Sequence, residues 1–274
     1  MAEKTGISWT DSTFNPWIGC TKVGPGCDNC YAEALMDKRW HRVQWGSGKP
    51  RERTSAGNWK LPERWNKQVF AECPECGWRG EQRNAICGCD CPSCMQPGVL
   101  VSARRRVFCA SLADVFDNEA PPQWRGELWA LVKATPHLDW LILTKRIGNV
   151  PGMAPADGLP PNVWLGATMV NQDEYDRDVH KLLAVPASVR FLSVEPMVGP
   201  ITGGAQLSGL DWVIVGGESG HGARPIRREW IDSLRRECDA DGVAFFFKQW
   251  GGASATAGGC RLDGAEVKQW PCAA

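Results

Sequence analysis

The sequence predicts an α/β fold: a partial (β/α) TIM-like barrel of parallel strands carrying an inserted zinc-ribbon-like subdomain. Three observations carry that expectation. Beyond Arg105, apolar runs of four to eight residues alternate with amphipathic stretches, and runs that are continuous rather than alternating mark strands covered on both faces. Nine of the 13 cysteines lie between Cys20 and Cys94 in short-spaced sets. A basic, tryptophan-rich segment then separates the first elements from the regular ones.

Residues 1–36 form the start of the barrel and hold Gly19-Cys20-Thr-Lys-Val-Gly-Pro-Gly-Cys27-Asp-Asn-Cys30-Tyr31, a C-x6-C-x2-C pattern. Three cysteines are an incomplete tetrahedral set, and one open coordination position is what a catalytic iron-sulfur cluster requires. A zinc site completed by a remote ligand is the alternative. Gly24, Pro25 and Gly26 let the loop wrap closely around a bound group.

Residues 37–104 form the insertion. Its first half, Asp37 to Lys67, has nine Lys/Arg against three Asp/Glu, interleaved with Trp40, Trp45, Trp59 and Trp65. Cations with stacking aromatics suit a nucleic acid. A solvated loop whose tryptophans pack back onto the barrel suits so short a tract better. Its second half holds Cys73-Pro-Glu-Cys76 and Cys91-Pro-Ser-Cys94, separated by fourteen residues. Each two-residue spacing lets a tight turn present two sulfurs to one ion, so these four are the expected zinc ligands, with Cys87 or Cys89 able to substitute for one of them.

Residues 105–274 form the rest of the barrel. The apolar runs begin at Val107, Trp140, Val163, Val189, Trp212 and Val243, and helices are expected over Pro122 to Ala134 and Ile226 to Asp239. Each run ends in residues capable of chemistry: Asp114, then Thr144-Lys145-Arg146, Thr168, Glu195-Pro196, Gly216-Gly217-Glu218-Ser219 and Lys248-Gln249-Trp250. In a parallel barrel the C-terminal strand ends converge on one mouth, where ligands bind.

Composition narrows the function. With 31 basic and 31 acidic residues the chain is formally neutral, so binding a polyanion by bulk charge is not expected, and any nucleic acid contact must be local. No run of about 18 apolar residues and no apolar leader occur, which points to a cytoplasmic protein without a membrane partner. The cysteines are then expected to bind metal rather than to form disulfides. The four histidines form no zinc-hydrolase pattern, and a P-loop is lacking.

The motifs Phe14-Asn-Pro-Trp-Ile-Gly-Cys20, Leu143-Thr-Lys-Arg146, Val163-Trp-Leu-Gly166, Arg190-Phe-Leu-Ser-Val-Glu-Pro196, Asp211-Trp-Val-Ile-Val-Gly-Gly-Glu-Ser-Gly220 and Phe246-Phe-Lys-Gln-Trp-Gly251 follow one another across the chain. In that order they resemble the phage-associated three-cysteine-motif family of uncharacterised proteins, which in turn resembles radical S-adenosylmethionine enzymes. The resemblance implies that Cys20, Cys27 and Cys30 ligate a [4Fe-4S] cluster that cleaves S-adenosylmethionine with an electron from an external donor. Gly216-Gly217-Glu218 is similar to the glycine-rich motif that holds the cofactor's methionine moiety, and strand-end position and charge then make Glu195 and Glu218 the candidates for its ammonium group and Lys145 and Arg146 the candidates for its carboxylate or for a substrate phosphate. Lys248 and Glu195 are then the expected catalytic groups, Lys248 as a proton donor. The substrate suggested by the basic tract and the ribbon is a nucleic acid or nucleotide. The competing expectation is a non-catalytic, zinc-stabilised nucleic-acid-binding protein in which both cysteine sets are structural. For the strand-end charges, the competing role is that of ion pairs that only stabilise the barrel mouth.

Overall fold

The computed structural model describes residues 3–85, 89–254 and 256–271. In chain order, β1 (Ser12–Thr13) and β2 (Trp17–Ile18) precede the three-cysteine loop, and β3 (Glu52–Arg53) returns to pair antiparallel with β2. A separate antiparallel sheet follows, built from β4 (Phe70–Glu72), β5 (Arg79–Glu81) and β6 (Val101–Ala103) in the order β5-β4-β6. The main strands continue as β7 (Arg105–Cys109), β8 (Leu138–Thr144), β9 (Val163–Thr168), β10 (Val189–Val194), β11 (Trp212–Gly216) and β12 (Ala244–Gln249). A short hairpin of β13 (Arg261–Leu262) and β14 (Ala265–Glu266) closes the described chain.

The seven strands β1-β7-β8-β9-β10-β11-β12 pair in that order, every pair parallel. The sheet curls into a half-barrel, as the alternation of apolar runs and helices predicts. All six apolar runs are strands. β1, by contrast, is two polar residues, Ser12 and Thr13, and carries no apolar signal of its own.

Long helices cover the convex face. Helix Pro122–Ala134 starts with proline at its first position, where the missing N–H costs nothing. Helix Gln172–Leu183 is capped by Asn171, whose side chain accepts from the Glu174 N–H at 3.0 Å, and it buries Tyr175, Val179 and Leu182 on one stripe. Helix Arg228–Asp241 buries Ile231, Leu234 and Cys238 and stops at Gly242, which takes the left-handed conformation at φ 71°.

Side chains alternate along each strand, which divides the core in two. Val163, Leu165 and Ala167 of β9 face the helices within the larger apolar cluster. Trp164 faces the hollow with Trp9, Phe108, Leu141, Phe191, Trp212, Ile214 and Phe246. This aromatic layer fills the lower part of the half-barrel, with Trp212 in edge contact with Trp164 and Phe246. Gly166 of β9 leaves the space that the Phe191 ring occupies; a Cβ there would overlap the ring.

Residues 37–67 are tied into this body. Trp65 is buried in the main core, Trp59 packs against it under the Arg53 guanidinium at 4.2 Å, and Trp45 packs on Ile18, Met36 and Val43. Trp40 stays exposed. The tryptophans therefore pack back onto the barrel, with that one exception. Of the nine cations, Lys38, Arg42, Arg51, Arg53 and Arg64 are ion-paired with Glu33, Glu52, Asp117, Glu127 and Glu3. No helix among the described residues is long and apolar enough to cross a membrane.

Candidate functional site

One cavity of about 680 Å³ opens at the C-terminal ends of the main strands. Its wall includes Cys20, Cys27 and Cys30 from the loop after β2. It also includes Lys145 and Arg146 after β8, Thr168 of β9, Ser193 and Glu195 of and after β10, Gly217 and Glu218 after β11, and Lys248 of β12. Residues separated by up to 228 positions thus meet because parallel strands deliver their C-terminal ends to one edge.

The cysteine loop is clamped to that edge by three arginines. Arg146 donates to Asp114 Oδ2 at 3.1 Å, to the Thr21 carbonyl at 2.6 Å and to Cys20 Sγ at 3.4 Å. Asp114 is itself fixed by the Thr144 hydroxyl at 2.8 Å and the Lys145 N–H at 3.0 Å. Arg51, its side chain fully buried, pairs with Asp117 at 2.7 Å and donates to Thr21 Oγ1 at 2.7 Å. Arg224 donates to the Pro25 carbonyl at 2.8 Å, to Asp28 at 3.0 Å and three times to Glu218, twice from its guanidinium and once from its backbone N–H, and Glu218 Oε2 also accepts from Asn29 at 2.8 Å.

Close approach of this loop to the barrel needs its glycines. A Cβ on Gly24 would overlap the Glu174 carboxylate, and one on Gly26 would lie 2.7 Å from Val170 Cγ1. Burial, with the nearby Asp114 charge, raises the Cys20 thiol to about 12 against the opposing pull of Arg146. The thiols of Cys20, Cys27 and Cys30 lie on the wall of this cavity, in a loop pinned at both ends, but among the described residues they do not form a group of sulfurs within 4.8 Å of one another.

The strand-end charges are paired. Lys248 Nζ lies 2.7 Å from Glu195 Oε1. Glu218 is buried, and although burial opposes its ionisation, the Arg224 and Asn29 hydrogen bonds hold its carboxyl below the ordinary value. Gly216 stands beside the cavity and gives room to Glu195, since a Cβ there would come within 2.9 Å of Glu195 Oε1. Gly217 lies on the wall, where a Cβ would overlap the Trp250 carbonyl.

A second cysteine group lies in the small sheet. The sulfurs of Cys73, Cys76, Cys91 and Cys94 all lie within 4.8 Å of one another and can hold a metal ion. Cys73 and Cys94 are 3.7 Å apart and Cys76 and Cys91 3.6 Å, against an edge of about 3.8 Å for four sulfurs around an ion with metal–sulfur bonds of about 2.3 Å. The two turns share one backbone. The Cys73 N–H donates to Trp78 O and the Gly77 N–H to Cys73 O, as the Cys91 N–H does to Gln96 O and the Met95 N–H to Cys91 O. Gly77 and Met95, each just after the second cysteine of its pair, both have positive φ, 71° and 61°. Cys89 is outside the group, its thiol 3.8 Å from Asp90, and Cys87 falls outside the described residues.

Sequence reasoning singled out Asp114 as a strand end but missed Arg51 and Arg224. Arg224 sits six residues past Glu218 in an irregular segment, so no strand-end rule reaches it. Its signal is only that a buried carboxylate needs a partner.

A family model described as "Protein of unknown function (DUF5131)" matches residues 4–271. No curated protein and no solved structure matches the chain.

Proposed function

The chain belongs to the DUF5131 family of proteins of unknown function, and we propose that it is a phage-associated iron-sulfur enzyme of the radical S-adenosylmethionine type acting on a nucleic acid or nucleotide. The observation that carries this reading is the shared cavity: the three-cysteine loop and the strand-end residues form a single wall. Cys20, Cys27 and Cys30 would hold a [4Fe-4S] cluster. When bound and reduced by an external donor, that cluster supplies the electron that cleaves S-adenosylmethionine.

The chain's own residues do the positioning. Arg146 and Arg224 fix the two ends of the cysteine loop, and Arg146 places positive charge beside Cys20. Glu195 accepts from Lys248, which holds a proton at its ammonium on the cavity wall, in reach of a substrate placed there. The aromatic floor beneath excludes water from one side. Cys73, Cys76, Cys91 and Cys94 would hold zinc in a ribbon-like subdomain, supported by their tetrahedral sulfur spacing and matched turns.

Anaerobic purification followed by iron, sulfide and zinc analysis tests this. About four irons and one zinc per chain are expected. Two zincs and no iron would overturn the cluster and leave a zinc-stabilised binding protein.

A further inference from the structure

Among the described residues, seven charged side chains line the cavity, and six are already paired: Lys22 with Glu33, Asp114 with Arg146, Glu195 with Lys248, and Glu218 with Arg224. Among the described residues of the wall, Lys145 alone keeps an ammonium without an ion pair. Beside it are two further unmet needs. Thr168 Oγ1 and Ser193 Oγ are buried and have no hydrogen-bond partner, although both residues line the cavity. Thr168 is 5% exposed and Ser193 0%. A buried hydroxyl left unpaired bears its full desolvation penalty.

Register puts the three in one row. Thr168 faces Ser193 across β9 and β10, and Thr144 faces Ala167 across β8 and β9, so Lys145 continues next to Thr168. All three share the inward parity of Leu143, Gly166 and Phe191 on the same strands. The indole N–H of Trp9, also on the wall, is buried and unpaired as well.

We propose that Lys145, Thr168 and Ser193 form a phosphate subsite for the substrate. Every unmet group here is able to donate, and the nearby carboxylates are neutralised by their own cations, so an anion is the complementary ligand. Donors on three adjacent strands suit the three free oxygens of a phosphomonoester better than the two of a carboxylate. Trp9 and Phe108 on the same wall offer apolar surface to the remainder of the molecule. The substrate class is thus a phosphorylated small molecule, of which a mononucleotide is the simplest member consistent with the proposed function. The inference rests on that reading only in taking this cavity as the active site.

The test is isothermal titration of the anaerobically purified full chain with AMP, adenosine, inorganic phosphate and acetate, with iron measured on the same sample. AMP is expected to bind at least about tenfold more tightly than adenosine, with inorganic phosphate competing. Lys145→Met should weaken AMP at least about tenfold and leave adenosine unchanged. The nearly isosteric Thr168→Val/Ser193→Ala chain, which keeps every charge, should also weaken AMP selectively and serves if the lysine variant fails to fold. Equal binding of AMP and adenosine, acetate competing as well as phosphate, or variants with unchanged AMP affinity would each overturn the subsite. Selective phosphate binding in an iron-free preparation supports the subsite while sinking the cluster; an iron-loaded preparation without phosphate binding sinks the subsite alone.

Discussion

Glu218 shows how one side chain joins the cysteine loop to the barrel. It accepts from Arg224 through both oxygens and from Asn29, two residues after Cys27. Because its carboxyl is held below the ordinary value, the stability it contributes is present above the unfolded carboxyl value of about 4.3 and disappears as pH falls through the folded one. Glu218→Gln keeps the shape and removes the charge. Urea titrations should place the variant about 2 kcal/mol below the parent at pH 7, with the gap closing as the pH drops below about 4. A gap unchanged at low pH would show that the charge is not what matters. At this scale the sequence marked Glu218 but not its partner, because a contact made from an irregular segment leaves no periodic trace.

Between strands, the match of Gly166 to Phe191 decides how the half-barrel is filled. The glycine sits across from the phenylalanine in register, and the ring lies over it. Gly166→Ala should overpack the concave face and cost about 1–3 kcal/mol. Adding Phe191→Leu should recover at least about 1 kcal/mol relative to the sum of the single changes. Thermal denaturation of the four chains measures the coupling, and additive effects would refute direct packing between the two positions. Both residues fall within apolar runs that the sequence marks as strands. Their pairing depends on strand order and register, which no single run encodes.

At the scale of the whole molecule, two bodies of different construction meet. The half-barrel is held by a large apolar cluster, whereas the β4-β5-β6 sheet buries little beyond Phe70, Ala71, Cys73 and Cys91. It touches the barrel through polar anchors, Arg79 on Asp11 at 3.0 Å and Arg105 on Glu81 at 3.0 Å. A sheet with so little core is expected to depend on a metal ion held by its four cysteines. Chelation should therefore abolish hydrogen-exchange protection in β4, β5 and β6 while β7 to β12 stay protected. Joint loss of both, or no loss in either, would contradict that division.

The sequence by itself determined the strands of the half-barrel after Arg105, the helices over Pro122–Ala134 and, within two residues, Arg228–Asp241, and the four sulfurs that meet in the small sheet. These are local patterns: continuous apolar runs, helical spacing and two-residue turns. Only the tertiary structure decided that β1 extends the sheet, that Arg51, Arg146 and Arg224 hold the cysteine loop, and that Lys145, Thr168 and Ser193 form one row. Those outcomes depend on register and on contacts between residues far apart in the chain, and such contacts are fixed by packing rather than by any local pattern.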